Sequence, residues 1–134
     1  MKVFIIDDDA LSIFLTQSVL ELENVTQEIQ TFMAATEALE VLQTCAAAEL
    51  PDVLFLDLNM PIMDGWDFLK SLHAIEAKIR HTCTIYILTS SLDTSETDKS
   101  KEFPIVAGLI HKPIASEDIQ LIHNRFLAAS KGTV

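Results

Sequence analysis

Five short β-prone runs, separated by longer stretches with helical spacing, constrain this chain more than any other feature. Residues 2–6 (KVFII) form a continuous apolar run without alternation, the pattern of a strand covered on both faces. Residues 26–33 (TQEIQTFM) alternate weakly, and residues 52–56 (DVLFL), 84–88 (TIYIL) and 108–111 (GLIH) complete the set. The intervening segments read as helices. The first covers residues 9–23, with Leu11, Phe14, Leu15, Val19 and Leu22 as its expected inward stripe and Ile13 and Leu20 off it. Residues 36–49 are rich in Ala, Leu and Glu and end before Pro51. Residues 65–80 follow Asp64, a plausible N-cap. Asp93, with Glu96 three residues on, spells the start of a short polar helix, and Ser116 opens a last helix to about residue 129. Strand and helix alternating five times predict an α/β sandwich on a parallel sheet, with right-handed crossovers placing helices on both faces.

A hydrophobic fraction of 49% with only three glycines and four prolines fits one packed domain over residues 1–134, and no output domain is expected. The net charge of -11 offers no basic stripe to phosphate backbones, so no nucleic acid partner is expected. An acidic surface favours cations and basic protein patches instead. The apolar run at residues 3–6 ends in three aspartates, too soon for a signal peptide, and no run approaches the roughly 18 residues of a membrane span. We therefore expect no membrane association and a cytoplasmic location, with Cys45 and Cys83 as reduced thiols.

In open parallel sheets ligands bind beyond the carboxyl ends of the strands. Asp7, Asp8 and Asp9 follow the first strand, Asp57 the third, Thr89-Ser90-Ser91 the fourth and Lys112-Pro113 the fifth. Only Ala34-Ala35, after the second, offers nothing reactive. Each group alone has an ordinary explanation: a helix cap, a loop carboxylate, a turn, a solvated lysine. Those explanations do not account for their coincidence at one edge. Like-charged carboxylates at ~4 Å repel by about 4 kcal/mol at an effective dielectric of 20, so the cluster needs a cation. Oxygen ligands suit Mg²⁺, with Mn²⁺ able to replace it, and no Cys/His spacing suits zinc. A metal, an amine and a hydroxyl are the parts that hold a transferring phosphoryl group, and a carboxylate can itself be the nucleophile.

The segments FIIDDD, FLDLNMPIMDGWDFL, YILTSS and LIHKPI resemble the receiver domains of two-component response regulators, over residues 2–127. The resemblance implies a CheY-like (flavodoxin-like) three-layer α/β/α sandwich with five parallel strands in the order 2-1-3-4-5. It implies phosphorelay signal transduction, with Asp57 as phosphoacceptor. Asp8 would ligate Mg²⁺ directly, Asp7 through water, and the Asn59 backbone carbonyl would add a ligand. Lys112 would pair with a phosphoryl oxygen, and Thr89 would donate to the phosphoryl group and move on switching. The Lys112-Pro113 peptide would be cis, and Asn59 and Ser91 would tune the phosphoryl lifetime. The implied donor is a sensor histidine kinase or a histidine phosphotransfer protein. The implied output is a switched surface of the polar fourth helix, the fifth strand and the last helix, read by an unspecified protein target. A phosphorylation-dependent dimer is left open. The chain would act as a switch rather than a turnover enzyme. One departure stands out: Leu109 occupies the place, three residues before the lysine, where the family usually has an aromatic residue or histidine. A dehalogenase-type phosphatase would need an acid at Asn59, and a flavin module would need a phosphate-cradling loop where DDDALS stands.

Overall fold

The computed structural model describes residues 1–132. Five parallel strands, β1 (Lys2–Ile6), β2 (Glu28–Phe32), β3 (Val53–Asp57), β4 (Thr84–Thr89) and β5 (Val106–His111), form one sheet in the order β2-β1-β3-β4-β5. The helices are α1 (Ala10–Glu23), α2 (Ala35–Thr44), α3 (Gly65–Ser71), α4 (Glu76–Ile79), α5 (Thr94–Ser100) and α6 (Ser116–Gly132).

The unbroken apolar runs become the buried strands, and every residue of β3 is buried. Phe4, Ile6, Leu54, Leu56, Ile85 and Ile87 point to one face and pack with Ala38 and Leu42 of α2 and with Phe68 and Leu69 of α3. Val3, Ile5, Val53, Phe55, Tyr86 and Leu88 point to the other and pack with Leu20 of α1 and with Ile119 and Ile122 of α6. This is the three-layer sandwich that the sequence implies. The edge strands β2 and β5 are largely half-buried or exposed, in keeping with their weaker patterning. Strand order reverses between β1 and β3, so the end of β1 and the end of β3 flank the switch point.

Three local readings change. The expected inward stripe of α1 faces outward: Leu11, Phe14, Leu15 and Leu22 are exposed, while Thr16 and Leu20 are buried and Ile13 and Val19 pack beside them. The helix is apolar on more than one side, so patterning alone does not choose its rotation. Its start is fixed instead by Asp9, whose N–H donates to Asp7 Oδ1 (3.0 Å) and whose Oδ1 accepts from Leu11 N (3.0 Å). The helix expected over residues 65–80 is broken: a 3-10 turn, Leu72–Ile75, separates α3 from α4. Leu69, Leu72 and Ile75 recur every third residue, and three residues per turn stack them on one face. The helix expected to reach residue 49 stops at Thr44, followed by a 3-10 turn at Ala47–Glu49. Lys78 Nζ donates to the carbonyls of Leu42 (2.8 Å), Gln43 (3.3 Å) and Cys45 (2.7 Å), so a lysine from α4 takes the last carbonyls of α2.

Candidate functional site

The acid run after β1 divides its labour. Asp7 is buried; its N–H donates to Phe32 O (3.0 Å), and its two carboxylate oxygens accept from Asp9 N (3.0 Å) and Lys112 Nζ (2.8 Å). Asp9 caps α1, and Asp8, just beyond the strand, is exposed and makes no hydrogen bond or ion pair among the described residues. Asp57 closes β3 and is 8% exposed. One oxygen each from Asp7, Asp8 and Asp57 lies within 4.8 Å of the others. Lys112 Nζ bridges two of these acids, reaching Asp57 Oδ1 at 3.3 Å.

Backbone contacts hold the ends of the strands in place. Gly65 N donates to Leu58 O (2.9 Å), drawing the start of α3 onto the segment after β3. A Cβ at Gly65 would lie 2.7 Å from Asp57 O and 2.9 Å from Leu58 Cα, so only glycine allows this approach. Asp64 and Asp67 form a reciprocal capping box at the same helix start. Ile62, in the loop between, has φ 70 and is 99% exposed, a left-handed conformation that a β-branched residue adopts at a cost. Lys112 N donates to Thr89 O (2.7 Å), joining the end of β4 to the ammonium-bearing residue, and the Lys112-Pro113 peptide is cis.

The electrostatics follow from burial and crowding. Burial raises the Asp57 carboxyl above its ordinary value, the Asp7 charge raises it further, and Lys112 pulls it back without cancelling the rise. Burial works to lower the Lys112 ammonium, but its hydrogen bond to Asp7 and the charges of Asp57 and Asp7 outweigh that and leave it raised. The pocket thus holds an excess of negative charge around a single lysine. Two of its acids compete for that lysine, and the carboxylate of Asp8 stands ready at the rim. That donor set fits a hard, oxygen-seeking divalent cation. Beside Lys112, a cavity of about 270 Å³ opens between α1 and the loop after β5, walled by Leu11, Leu15 and Pro113. A larger cavity of about 460 Å³, lined by Asp52, Thr84 and Arg125, sits at the opposite edge of the sheet and contains none of these groups.

The sequence-expected residues Asp7, Asp8, Asp57 and Lys112 meet. Thr89 is buried at the end of β4, and its hydroxyl donates to Glu96 Oε1 (2.6 Å). Ser91 N donates to Thr89 Oγ1 (3.0 Å), and Asn59 is exposed in the loop after β3. Leu109 is half-buried, paired with Ile87 across β4 and β5, and packs into the core on that face. Glu96 is the group that sequence reasoning missed. Its position three residues after Asp93 spells a capping box, but Asp93 N donates to Ser91 Oγ (3.1 Å) instead, leaving Glu96 free to turn inward.

A doubly wound parallel sheet that gathers three carboxylates and one ammonium at its switch point defines an α/β domain with an acidic, cation-seeking cleft. Residues 3–124 match the family described as response regulator receiver domain, and the chain belongs to that family. It is similar to sporulation initiation phosphotransferase F of Bacillus subtilis, 30% identical over 130 residues that cover 94% of this chain and 93% of that protein. It is also similar, at 27% identity over 120 residues, to a protein-glutamate methylesterase/protein-glutamine glutaminase of Cereibacter sphaeroides, covering 89% of this chain but only 30% of that protein. Among solved structures, a two-component response regulator from Cytophaga hutchinsonii superposes with a TM-score of 0.88 at 24% identity, covering 95% of this chain and 96% of that one. A response regulator receiver protein from Dyadobacter fermentans gives 0.84 at 24% identity, over 95% and 98% of the two chains. The sheet order and sandwich are those of the CheY-like fold. The function is that of a receiver in phosphorelay signalling, and its acid cluster fits Mg²⁺.

Proposed function

We propose that Asp57 accepts a phosphoryl group from a phosphohistidine on a sensor histidine kinase or histidine phosphotransfer protein. The observation that carries this reading is the meeting of Asp7, Asp8 and Asp57 within 4.8 Å, with Lys112 bridging two of them. An Asp57 carboxylate oxygen attacks phosphorus and the bond from imidazole nitrogen to phosphorus breaks; the bonding pair stays on that nitrogen, and a proton from solvent makes the leaving group a neutral imidazole. Lys112 moves from its two acid partners to a phosphoryl oxygen, holding the group as charge develops. Asp8, Asp57 and the Asn59 backbone carbonyl would hold Mg²⁺, or Mn²⁺ in its place, with Asp7 helping through water. When bound, the ion supplies the positive charge that the acids and phosphoryl oxygens lack. Asp7 already spends both oxygens on Asp9 N–H and Lys112, which favours Asp8 as the direct ligand.

Water later cleaves the acyl phosphate to inorganic phosphate and the free carboxylate. Asn59 has no ionisable group to shuttle a proton at the place where a hydrolase would carry an acid, and Ser91 sits in the loop that contacts Thr89. Slow self-dephosphorylation is therefore the only turnover we assign, and the chain serves as a switch. The donor docks on α1, whose outward Leu11, Phe14 and Leu15 form an apolar stripe that begins two residues after the Asp9 cap of the acid site. Such a donor draws its phosphoryl group from ATP, which assigns the chain to the cytoplasm. Readout passes through α5, β5 and α6 to a protein target.

Incubation with acetyl phosphate tests the reading. Label should appear on the protein with Mg²⁺ and be lost with a chelator. Labelling that is indifferent to the chelator would contradict the metal-assisted acceptor.

A further inference from the structure

A chain of side-chain hydrogen bonds runs from β4 into α5 and is separate from the acid pocket. Thr89 Oγ1 donates to Glu96 Oε1 at 2.6 Å, a short bond of the kind made to an ionised oxygen. Ser91 N donates to Thr89 Oγ1 (3.0 Å), and Asp93 N donates to Ser91 Oγ (3.1 Å). Asp93 Oδ1 in turn accepts from Ser95 N (2.9 Å). The last two contacts cap α5 without Glu96. The inward turn of Glu96 is therefore not a by-product of helix capping.

Thr89 is 1% exposed, so its hydroxyl hydrogen has no recourse to bulk water. A hydroxyl has one hydrogen to give. A phosphoryl oxygen on Asp57 carries none, and a bond from Thr89 to it would use that same hydrogen. The two bonds exclude each other. Leu109, which faces the same side of the sheet through its pairing with Ile87, is aliphatic and offers the hydroxyl no alternative partner.

We propose that Glu96 is a positioning residue, a clasp that holds Thr89 in its resting state and that phosphorylation of Asp57 must open. This deepens the function proposed above and rests on Asp57 being the acceptor. Opening exchanges one anionic acceptor for another, so the bond lost to Glu96 is replaced by one to the phosphoryl group, which thereby shifts the population toward the open state. The released carboxylate belongs to α5, a seven-residue helix in which only Ser100 is buried. The same helix carries Lys99, whose Nζ lies 4.8 Å from the Trp66 ring centroid, and Trp66 stacks on Phe103. Trp66 is the single tryptophan of the chain, so its fluorescence reports displacement of α5.

The test titrates beryllofluoride with Mg²⁺, a mimic of the phosphoryl group, into the full chain. Binding is read by fluorine NMR and α5 displacement by Trp66 fluorescence. Glu96→Ala should bind about tenfold tighter than the wild type, the equivalent of one lost competing hydrogen bond. Glu96→Gln keeps a neutral acceptor and should fall between, and it preserves the test if the alanine variant folds poorly. In a Thr89→Ala background the Glu96→Ala gain should vanish, a non-additivity that a purely structural role for Glu96 would not produce. Unchanged or weaker binding in both Glu96 variants, or a gain that survives Thr89→Ala, overturns the clasp while leaving the acceptor reading intact. Failure of the wild type itself to bind beryllofluoride overturns the acceptor reading and the clasp together.

Discussion

The two ends of the reactive edge are built differently. The acid pocket, made by the ends of β1, β3 and β5, is fixed by ionic contacts between two buried acids, Asp7 at 2% exposure and Asp57 at 8%, and the half-buried lysine between them. The β4–α5 segment is fixed by single hydrogen bonds along an exposed loop, with Leu92 at 86% exposure and a short helix behind it. A pocket that must hold charge in flight gains from rigid, water-poor walls. An element that must report the event gains from cheap displacement. The proposed phosphoryl chemistry and its proposed readout thus fall on neighbouring strand ends with opposite mechanical character.

The comparison breaks most severely at Lys112. Lys112→Ala leaves Asp7 and Asp57 without their shared cation and should cost about 3 kcal/mol at neutral pH, read from urea unfolding. The lysine is a lowering influence on Asp57, whose carboxyl already sits above its ordinary value of 3.8. Without it the folded-state value climbs further, so the native state binds protons more tightly than the unfolded chain. Stability of the variant should therefore recover as pH falls through that raised value. A deficit that persists undiminished in acid would show that the lysine acts through packing alone.

Gly65→Ala attacks the same region through the backbone. The added Cβ meets Asp57 O and Leu58 Cα, so the variant should lose about 1–3 kcal/mol and be phosphorylated more slowly as Asp57 shifts. Asp57→Asn should do the reverse to stability. A carboxyl raised by folding stabilises the native state below its unfolded value and penalises it once pH exceeds the folded one. The variant should gain about 1 kcal/mol at neutral pH, with the gain absent below pH 3.8. The smallest effect belongs to the loop: Ile62→Asn suits φ 70 better and should stabilise by less than about 1 kcal/mol, with acetyl phosphate labelling unchanged.

What the sequence made legible differs between the same two regions. The strands and the acids at their ends were readable because a buried strand writes an uninterrupted apolar run and its reactive residues follow directly. Asp7, Asp57 and Lys112 needed no side-chain geometry to be placed at one edge. The separate duties of Asp7, Asp8 and Asp9 were not readable, since one repeated letter spells a buried acid, an exposed acid and a cap. The rotation of α1 was misread because apolar residues lie on more than one side, and the Asp9 contacts to the site decide between them. The helix start at Asp93 was readable, but the inward turn of Glu96 was not, because a capping box and an inward-turned carboxylate have identical spacing; the choice depends on Ser91 taking the N-cap amide. The break between α3 and α4, and the Lys78 cap on α2, are tertiary matters that no local pattern contains.

The destination of the phosphoryl group decides whether the acid pocket is the seat of the chemistry. The most direct measurement is intact-protein mass spectrometry after incubation with acetyl phosphate and Mg²⁺, followed by peptide mapping. We expect one phosphoryl group per chain, located on the peptide bearing Asp57 and absent from Asp57→Asn. Incorporation at any other residue, or undiminished incorporation in Asp57→Asn, would contradict the assignment of the buried acid pocket as the seat of the chemistry.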